Sequence, residues 1–576
     1  MTPHYFGECF GWLHHAAGGR GVVLCPAFGV EELVTHRFLR RLATDLAAAG
    51  MPALRFDYHG TGNSLGSDYD PDRVNAWLSS VRQAVECLRR ETGVREVALV
   101  GFRLGALLAT TAAAELGDIS KLALVGPVIS GKTYVRELKA LSTLSEESAG
   151  IAKGDASTFA SDADGIEVTG FTLTRETLDS LQRINLSALQ NKPASSVLVL
   201  GRDKVAADSR LVEHLRGLGC TVGHEVLPGY AEMAWNSSIA ELPEDAFSSL
   251  IRWLAQDMPA QTAVPPHPLP SSLRTADWME EAVRFGRNEG LFGVRCLPSS
   301  PRHEHVVLFV NHGADHHIGW ARMHVAFARK FAADGIASFR IDVAGLGDSP
   351  ARPGEQENRL YRSESTEDVS AAVDWLQQQG YSKFIVIGHC AGSYLAFYSA
   401  LRDPRIGGLV MVNLQRFFWQ EGDSLEVAFR KRYRSTDWYF HMLHDSQVWR
   451  RILRGEVDVR GIGWALAKQL TKRGKSVLSR GLARVSGTES NSQKVVRWFR
   501  ELAQRGTRVL LIYSEEDVGL DELILHCGAR AKRITTQSNI QLQILDGADH
   551  NITPQWARER YFGLLTSYLN AVSSGR

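Results

Sequence analysis

Cys390 is the residue best placed by its neighbours to do chemistry. It is the centre of Gly388-His389-Cys390-Ala391-Gly392, which follows the apolar run FIVI and precedes the helical run SYLAFYSALRD. A nucleophile held on a tight strand-to-helix turn needs small residues two positions to either side, because the two backbones crowd there. Such a turn exposes the central side chain and aims the N-terminus of the following helix at it. The ordinary pKa of a thiol, near ~8.5, leaves only a few per cent as thiolate at neutral pH. Activation therefore calls for the helix end, a neighbouring imidazole and a carboxylate that fixes the imidazole tautomer. The competing role for a single cysteine is that of a small buried filler.

The elements that must hold such a turn are written twice. RGVVLCPAFG (Arg20 to Gly29) is matched by HVVLFVNHGA (His305 to Ala314), and ALRFDYHGTGNS, ending at Ser64, by SFRIDVAGLGDS, ending at Ser349. EVALVGFRLGA around Arg103 is matched by FIVIGHCAGSY around Cys390, and Cys9-Phe10-Gly11 by Leu291-Phe292-Gly293. The offsets, 285 residues at Ser64 and 287 at Arg103, are far too long for a solenoid and indicate a tandem duplication. Between the copies, Met258 to Ser272 contains Pro259, Pro265, Pro266, Pro268 and Pro270, which can neither donate to a ladder nor continue a helix. The expected organisation is a first domain over 1–257, a Pro-rich linker over 258–272 and a second domain over 273–576. In the second copy, Val306 to Val310, Ser338 to Asp342 and Phe384 to Ile387 predict strands, and Met323 to Asp334 and Asp368 to Gly380 predict helices. Unbroken apolar strands alternating with helices predict an α/β class, with a mostly parallel sheet covered on both faces.

With NHGA after one strand, DVAGLGDS after another and the elbow at Cys390, the chain resembles the α/β-hydrolase superfamily. Both halves carry the resemblance over nearly their full length. The nucleophile there is usually serine; the cysteine is similar to that of dienelactone hydrolases, polyhydroxyalkanoate synthases and the aminoacyl shuttling enzymes of nonribosomal peptide pathways. The resemblance implies the chain order nucleophile, acid, histidine. It puts the acid at Asp517 in LLIYSEEDVG, with Glu515, Glu516, Asp546 and Asp549 as nearby competitors, and the histidine at His550 in ILDGADHNITP. It also implies an oxyanion hole from the backbone N–H of Ala391 and from the Gly313-Ala314 turn.

The first copy departs from that pattern at every catalytic position. Arg103 stands at the nucleophile, Lys204 opposite Asp517 with Asp203 one residue early, and Glu232 opposite His550. Gly101 and Gly105 keep the turn, but arginine cannot serve as an acyl nucleophile. The first domain is therefore expected to be a degenerate, non-catalytic scaffold or docking domain. An ion pair from Arg103 to Glu232, or to Asp203, is expected to plug its old pocket.

Composition bounds the function. The 576 residues are 44% hydrophobic and 22% charged with a net charge of +1, which excludes a disordered chain and a generic nucleic-acid or membrane-surface binder. No apolar run approaches the ~20 residues of a membrane span, and the N-terminus lacks a basic region followed by an apolar core. Seven cysteines, an odd number, suit reduced thiols in a cytoplasm. Charge is unevenly spread: residues 416–508, where the superfamily inserts its cap, hold 20 Lys and Arg against 9 Asp and Glu, a net of +11 that leaves −10 elsewhere. Aromatics including Phe417, Phe418, Trp419, Tyr433 and Trp438 are interleaved. A solvated helical cap accounts for part of this charge, and a basic lid over a thiol suits an acidic partner such as coenzyme A phosphates or a carrier protein. Nucleic acid would need a recognition motif that is missing. No cofactor is expected. His312, Asp315, His316 and His317 are ligand types without zinc-site spacing, so no metal is expected either. Gly60-Thr61-Gly62 and Gly345-Leu346-Gly347 do not complete a dinucleotide fingerprint, and His14-His15 reads as a surface pair.

The expected activity is cysteine-dependent acyl transfer through an acyl-thioester intermediate, from a carrier-protein or coenzyme A thioester to an amine, thiol or hydroxyl. The alternatives are an ester or thioester hydrolase and a catalytically silent scaffold. If the basic segment docks an acidic carrier, reversing the charges of Arg430, Lys431 and Arg432 raises KM for a carrier-bound donor more than for a small thioester. The association then weakens steeply with salt, because exposed charges are screened within ~10 Å at 0.1 M. Equal effects on both donors would make the segment an ordinary lid.

Overall fold

The computed structural model describes residues 1–148, 165–202, 205–227, 237–260, 268–302, 304–419, 489–515 and 517–573. The valine- and leucine-rich runs become the inner strands of two sheets, where burial on both faces suits an unbroken apolar run. The first sheet comprises β1 (Thr2–Phe6), β2 (Cys9–His14), β3 (Arg20–Cys25), β4 (Ala53–Phe56), β5 (Glu96–Phe102), β6 (Lys121–Val125), β9 (Ser196–Gly201) and β10 (Thr221–Val226). A separate hairpin pairs β7 (Gly165–Val168) with β8 (Phe171–Thr174). The second sheet comprises β11 (Ser272–Arg274), β12 (Trp278–Phe285), β13 (Leu291–Pro298), β14 (His305–Phe309), β15 (Ala337–Asp342), β16 (Lys383–His389), β17 (Ile406–Val412), β18 (Arg508–Ser514) and β19 (Ile540–Leu545).

The strand orders superpose. β2-β4-β3-β5-β6-β9-β10 in the first half corresponds to β13-β15-β14-β16-β17-β18-β19 in the second. In both, the strands at the N-terminal edge pair antiparallel and the rest run parallel. Alternate residues feed apolar layers on opposite faces: Val306, Leu308 and Val386 join one core, and Val307, Phe309 and Ile387 the other. Parallel neighbours require a crossover. The helix Asn491–Gln504 supplies the one between β17 and β18, opened by a Ser490/Gln493 capping box and burying Val495, Phe499 and Leu502. That helix therefore belongs to the sheet's covering layer, although the sequence reading extended the cap to residue 508. Residues 420–488 of that cap, with Arg430, Lys431 and Arg432, lie outside the described residues, as do linker residues 261–267.

The two halves face each other across a pseudo-twofold arrangement in which matching positions exchange contacts. Arg55 donates to Asp348 at 2.6 Å, and its counterpart Arg340 donates to Asn63, the counterpart of Asp348, at 3.2 Å. Phe10 lies against its own counterpart, Phe292, at 6.4 Å between ring centres. Within each half the same serine pins the loop after the equivalent strand, β4 or β15: Ser64 accepts from the Phe10 N–H, and Ser349 from the Phe292 N–H, both at 2.9 Å. Arg322 reaches the carbonyls of Gly60, Gly62, Ser64 and Gly66, so the first Gly-x-Gly loop is an interdomain socket. His14 is buried beside Arg55, and burial lowers its pKa to about 2; the surface pair expected from sequence is thus only His15. The reason is that β2 lies against the other half rather than in solvent.

Charge at this junction is balanced locally. Asp348 is held by Arg55 and His36, and Glu280 by Arg329 at 2.7 Å and Arg340 at 2.8 Å. Burial pushes the Glu280 carboxyl up, but the two guanidinium groups outweigh it and hold it at about 2. Glu280→Gln strands two buried cations and should cost ~3–5 kcal/mol of stability, read in urea melts. Because the folded pKa is depressed, the wild-type advantage should be whole above the ordinary carboxyl value of 4.5 and fade as pH falls towards about 2. An advantage that stays constant across that window would refute the assignment.

Candidate functional site

The elbow at Cys390 is set by close backbone approach. Cys390 sits between β16 and the helix Ala391–Arg402 with φ 56° and ψ −121°, a left-handed conformation costly for any side-chain-bearing residue. A Cβ on Gly388 would run into the carbonyl of Gly392, and one on Gly392 into the carbonyl of Asn311. The glycines are thus required by sterics on both sides, and the second contact brings the end of β14 directly against the elbow. The Cys390 N–H donates to Val412 at 2.9 Å, and the Ser393 hydroxyl lies 2.7 Å from Gly388 O and 2.8 Å from Val412 O, tying the turn to β17.

Asp517 follows β18 and caps the helix Val518–Cys527, accepting from the Gly519 N–H at 2.7 Å through one oxygen. Its other oxygen meets Nδ1 of His550, which lies on the loop after β19. The backbone carbonyl of His550 accepts from Nε2 of His389 and from the Asn413 amide, each at 2.7 Å, so two side chains outside the sequence-derived set fix the loop. The Cys390 sulfur lies near enough to the same imidazole to act on it electrostatically. Burial opposes the charged form of His550, but the Asp517 carboxylate and the Cys390 sulfur outweigh it and hold its pKa well above the ordinary value. Cys390, His550 and Asp517 are therefore brought together. Of the competing acids, Asp549 bonds the Thr553 hydroxyl and N–H, and Asp546 reaches Arg560 at 4.0 Å.

The Gly313-Ala314 turn closes with the Asp315 N–H donating to His312 O at 3.0 Å, and Gly313 takes φ 57°. Asn311 braces it, bonding Asp315 O at 3.0 Å and Asp342 at 2.7 Å. His312 stacks on His389 at 4.1 Å; burial lowers His389 to about 3 and His312 well below the ordinary range, so neither rivals His550 as a base. Tyr361, at φ 59°, stacks on Trp419 at 4.3 Å; burial, then the nearby Cys390 side chain, raises its pKa. Sequence reading missed Tyr361, Asn413 and Gln415, whose amide lies 3.4 Å from both ring nitrogens of His550. Nothing in a local motif marks them, because loops from separate strands carry them here.

Two sets of metal-ligating types also meet at the junction, Glu32/His36/His316 and His317/Asp342/Asp348. The His36 and His316 rings are parallel at 3.7 Å, so their in-plane lone pairs cannot converge on one ion. His317 and Asp348 are already engaged by Asn63 and Arg55. The geometry does not suit a metal.

In the first half the elbow survives, with Arg103 at φ 50° and ψ −113° and a Cβ on Gly101 only 2.5 Å from Gly105 O. Asp203, Lys204 and Glu232 lie outside the described residues. The described partners of Arg103 are two other carboxylates, Glu31 at 2.6 Å and Glu137 at 2.8 Å. Glu31 lies in the first turn of the helix Val30–Ala48, just past Phe28-Gly29, the equivalents of Gly313-Ala314, so the pocket is plugged from its own wall.

The family model for serine aminopeptidase S33 matches residues 29–160 and again 302–415. Among solved structures, an esterase of Pyrococcus furiosus is 12% identical, with a TM-score of 0.32 over 51% of this chain and 92% of its own. A proline iminopeptidase of Mycobacterium smegmatis is 14% identical, with a TM-score of 0.30 over 51% and 99%. A meta-cleavage product hydrolase of Pseudomonas fluorescens is 15% identical, with a TM-score of 0.29 over 51% and 98%. Comparison with curated proteins returns no match. The strand order and the doubled family match make this an α/β-hydrolase-fold protein, with the fold present in each half. No described helix is long and apolar enough to cross a membrane.

Replacing Arg103 tests the plug. Arg103→Met leaves Glu31 and Glu137 facing each other without their cation and should lower stability by ~1–3 kcal/mol. The rate at which iodoacetamide alkylates Cys390 should not change. An unchanged melting temperature would show that the pair does not hold the pocket.

Proposed function

We propose that the second half is a cysteine-dependent acyl-transfer enzyme and that the first half does no acyl chemistry. The observation that carries this reading is a thiol on a left-handed elbow, beside an imidazole that is itself bonded to a buried carboxylate. In the proposed cycle His550 takes the thiol proton as the Cys390 sulfur attacks the carbonyl carbon of a thioester. The oxyanion is met by the N–H of Ala391 and of the Gly313-Ala314 turn. Collapse breaks the bond to the donor sulfur, which leaves with the proton returned by His550. An amine, thiol or hydroxyl then attacks the Cys390 thioester, giving its proton to His550 and restoring the free thiol.

Transfer is favoured by chemistry: an enzyme thioester is close in energy to a thioester donor and reacts with amines and thiols in preference to water. Hydrolysis, with water as acceptor, is the second reading, and the match to a hydrolytic family favours it. The basic segment 416–508, whose described part includes Arg416 over Trp419, suits by its charge the phosphates of coenzyme A or an acidic carrier. Seven unbridged cysteines fit a reducing compartment such as the cytoplasm.

Incubation with acyl thioesters should add one acyl mass to the intact protein, and Cys390→Ala should abolish both that adduct and turnover. Cys390→Ser should retain only slow hydrolysis. Full turnover in Cys390→Ala would end the reading. Acceptor chemistry separates the two forms: release of the acyl group that speeds up with added amine or thiol indicates transfer, and release indifferent to them indicates hydrolysis.

A further inference from the structure

We propose that the first half is the positioning element of the second half's site: its Ser237-Ser238 segment holds the Gly313-Ala314 turn through Asp315 and the Tyr361 loop through Asn358. This rests on the reading that Cys390 takes acyl groups.

Three contacts converge on two adjacent residues. The Ser237 hydroxyl donates to Oδ1 of Asp315 at 2.8 Å, and Asp315 is the residue whose N–H closes the turn bearing the candidate oxyanion donors. The side-chain amide of Asn358 donates to the carbonyls of Ser237 at 2.8 Å and Ser238 at 3.1 Å. Asn358 takes φ 62° and Tyr361 φ 59°, and such strain in two non-glycine residues persists only where the surroundings over-determine it. A second first-half residue, Arg40, fastens the same loop at Glu357 at 2.7 Å. From the second half, the described contact to the Asp315 carboxylate is the longer one from His312 Nδ1 to Oδ2, at 3.5 Å.

The position of Ser237 explains how this arose. It lies five residues beyond Glu232, the sequence counterpart of His550, as Gln555 lies five residues beyond His550. Gln555 also reaches the other half, accepting from the Tyr69 hydroxyl at 2.7 Å, while its N–H reaches Glu167 of the first half at 3.2 Å. In a twofold pair, the end of each histidine loop grips the other half. Losing the histidine in the first half left this grip intact, so the first half secures the oxyanion turn on one side and the segment after His550 on the other.

The test compares two reactions of one thiol. Acylation by a small thioester needs the oxyanion turn, whereas alkylation by iodoacetamide forms no oxyanion. In the full chain, Ser237→Ala combined with Asn358→Ala should slow Cys390 acylation, measured by intact mass, about 10- to 100-fold. Alkylation should stay within about two-fold of wild type, and the acylation loss should appear in kcat rather than KM. Ser237→Thr, which keeps the hydroxyl, should restore the rate. Should the double variant fold poorly, Ser237→Ala alone carries the same comparison. Unchanged acylation in the variants, or equal loss of acylation and alkylation, would overturn this inference while leaving the acyl-transfer reading intact. Wild-type protein that is alkylated but never acylated would overturn that reading, and the positioning role with it.

Discussion

Everything at the candidate site depends on how closely the end of β16 approaches the helix behind it. The left-handed backbone at Cys390 brings the helix N-terminus to the sulfur and leaves no room for side chains at Gly388 or Gly392. The latter glycine rests on the carbonyl of Asn311, so the elbow also fixes its distance to the turn after β14. The thiol, the oxyanion donors and the loop carrying His550 are therefore members of one packed unit. The first half shows how far this constraint is structural rather than chemical. It keeps the same dihedral angles with an arginine at the apex, and the vacated chemistry is replaced by charge balance with Glu31 and Glu137.

The second organising feature is the exchange of equivalent contacts between halves. A tandem copy that faces its partner through a twofold arrangement presents the same surface twice, as an isologous dimer does. Arg55 and Arg340 donate across it to Asp348 and Asn63, and the first Gly-x-Gly loop serves as a socket for the other half. The ionised groups there are buried in matched sets, which explains their opposite shifts. Asp348 is held well below the carboxylate range by Arg55 and His36 against the pull of burial, while His36 is raised to about 10 by Asp348 and Glu32 against the same pull. Such sets contribute little net stability compared with apolar packing, but removing one member is costly, so they fix the register of the halves. A degenerate half joined this way cannot drift far without disturbing the loops it touches.

Within the site, neutral and charged histidines have separate roles. His312 and His389 are stacked, buried and neutral; His389 uses its ring nitrogen to hold the His550 carbonyl. His550 alone faces a carboxylate and a thiol, and it alone is pushed towards the imidazolium form. One residue type thus supplies packing, a hydrogen bond to the backbone and a proton carrier, and the neighbours of each ring decide which.

What the sequence determined by itself were the features encoded in short spans: the duplicated strand and helix pattern, the glycine spacing around Cys390 and Arg103, and, through the resemblance it carries, Asp517 and His550 at the ends of their strands. Local sterics and apolar periodicity govern these, so they are legible without the partner elements. Tertiary structure alone decided which groups meet across the halves. His14, expected at the surface, is buried because its strand lies against the second half, and Ser237 and Asn358 carry no motif at all. The helix Asn491–Gln504 reads as part of a basic cap by charge, yet the sheet needs it as a crossover, and only the burial of Val495, Phe499 and Leu502 reveals this. Arg103 was legible as a cation in want of an anion. Its described partners, Glu31 and Glu137, lie 72 and 34 residues away and were chosen by the packing of the old pocket, because an ion pair between separate elements is set by where the fold brings their ends.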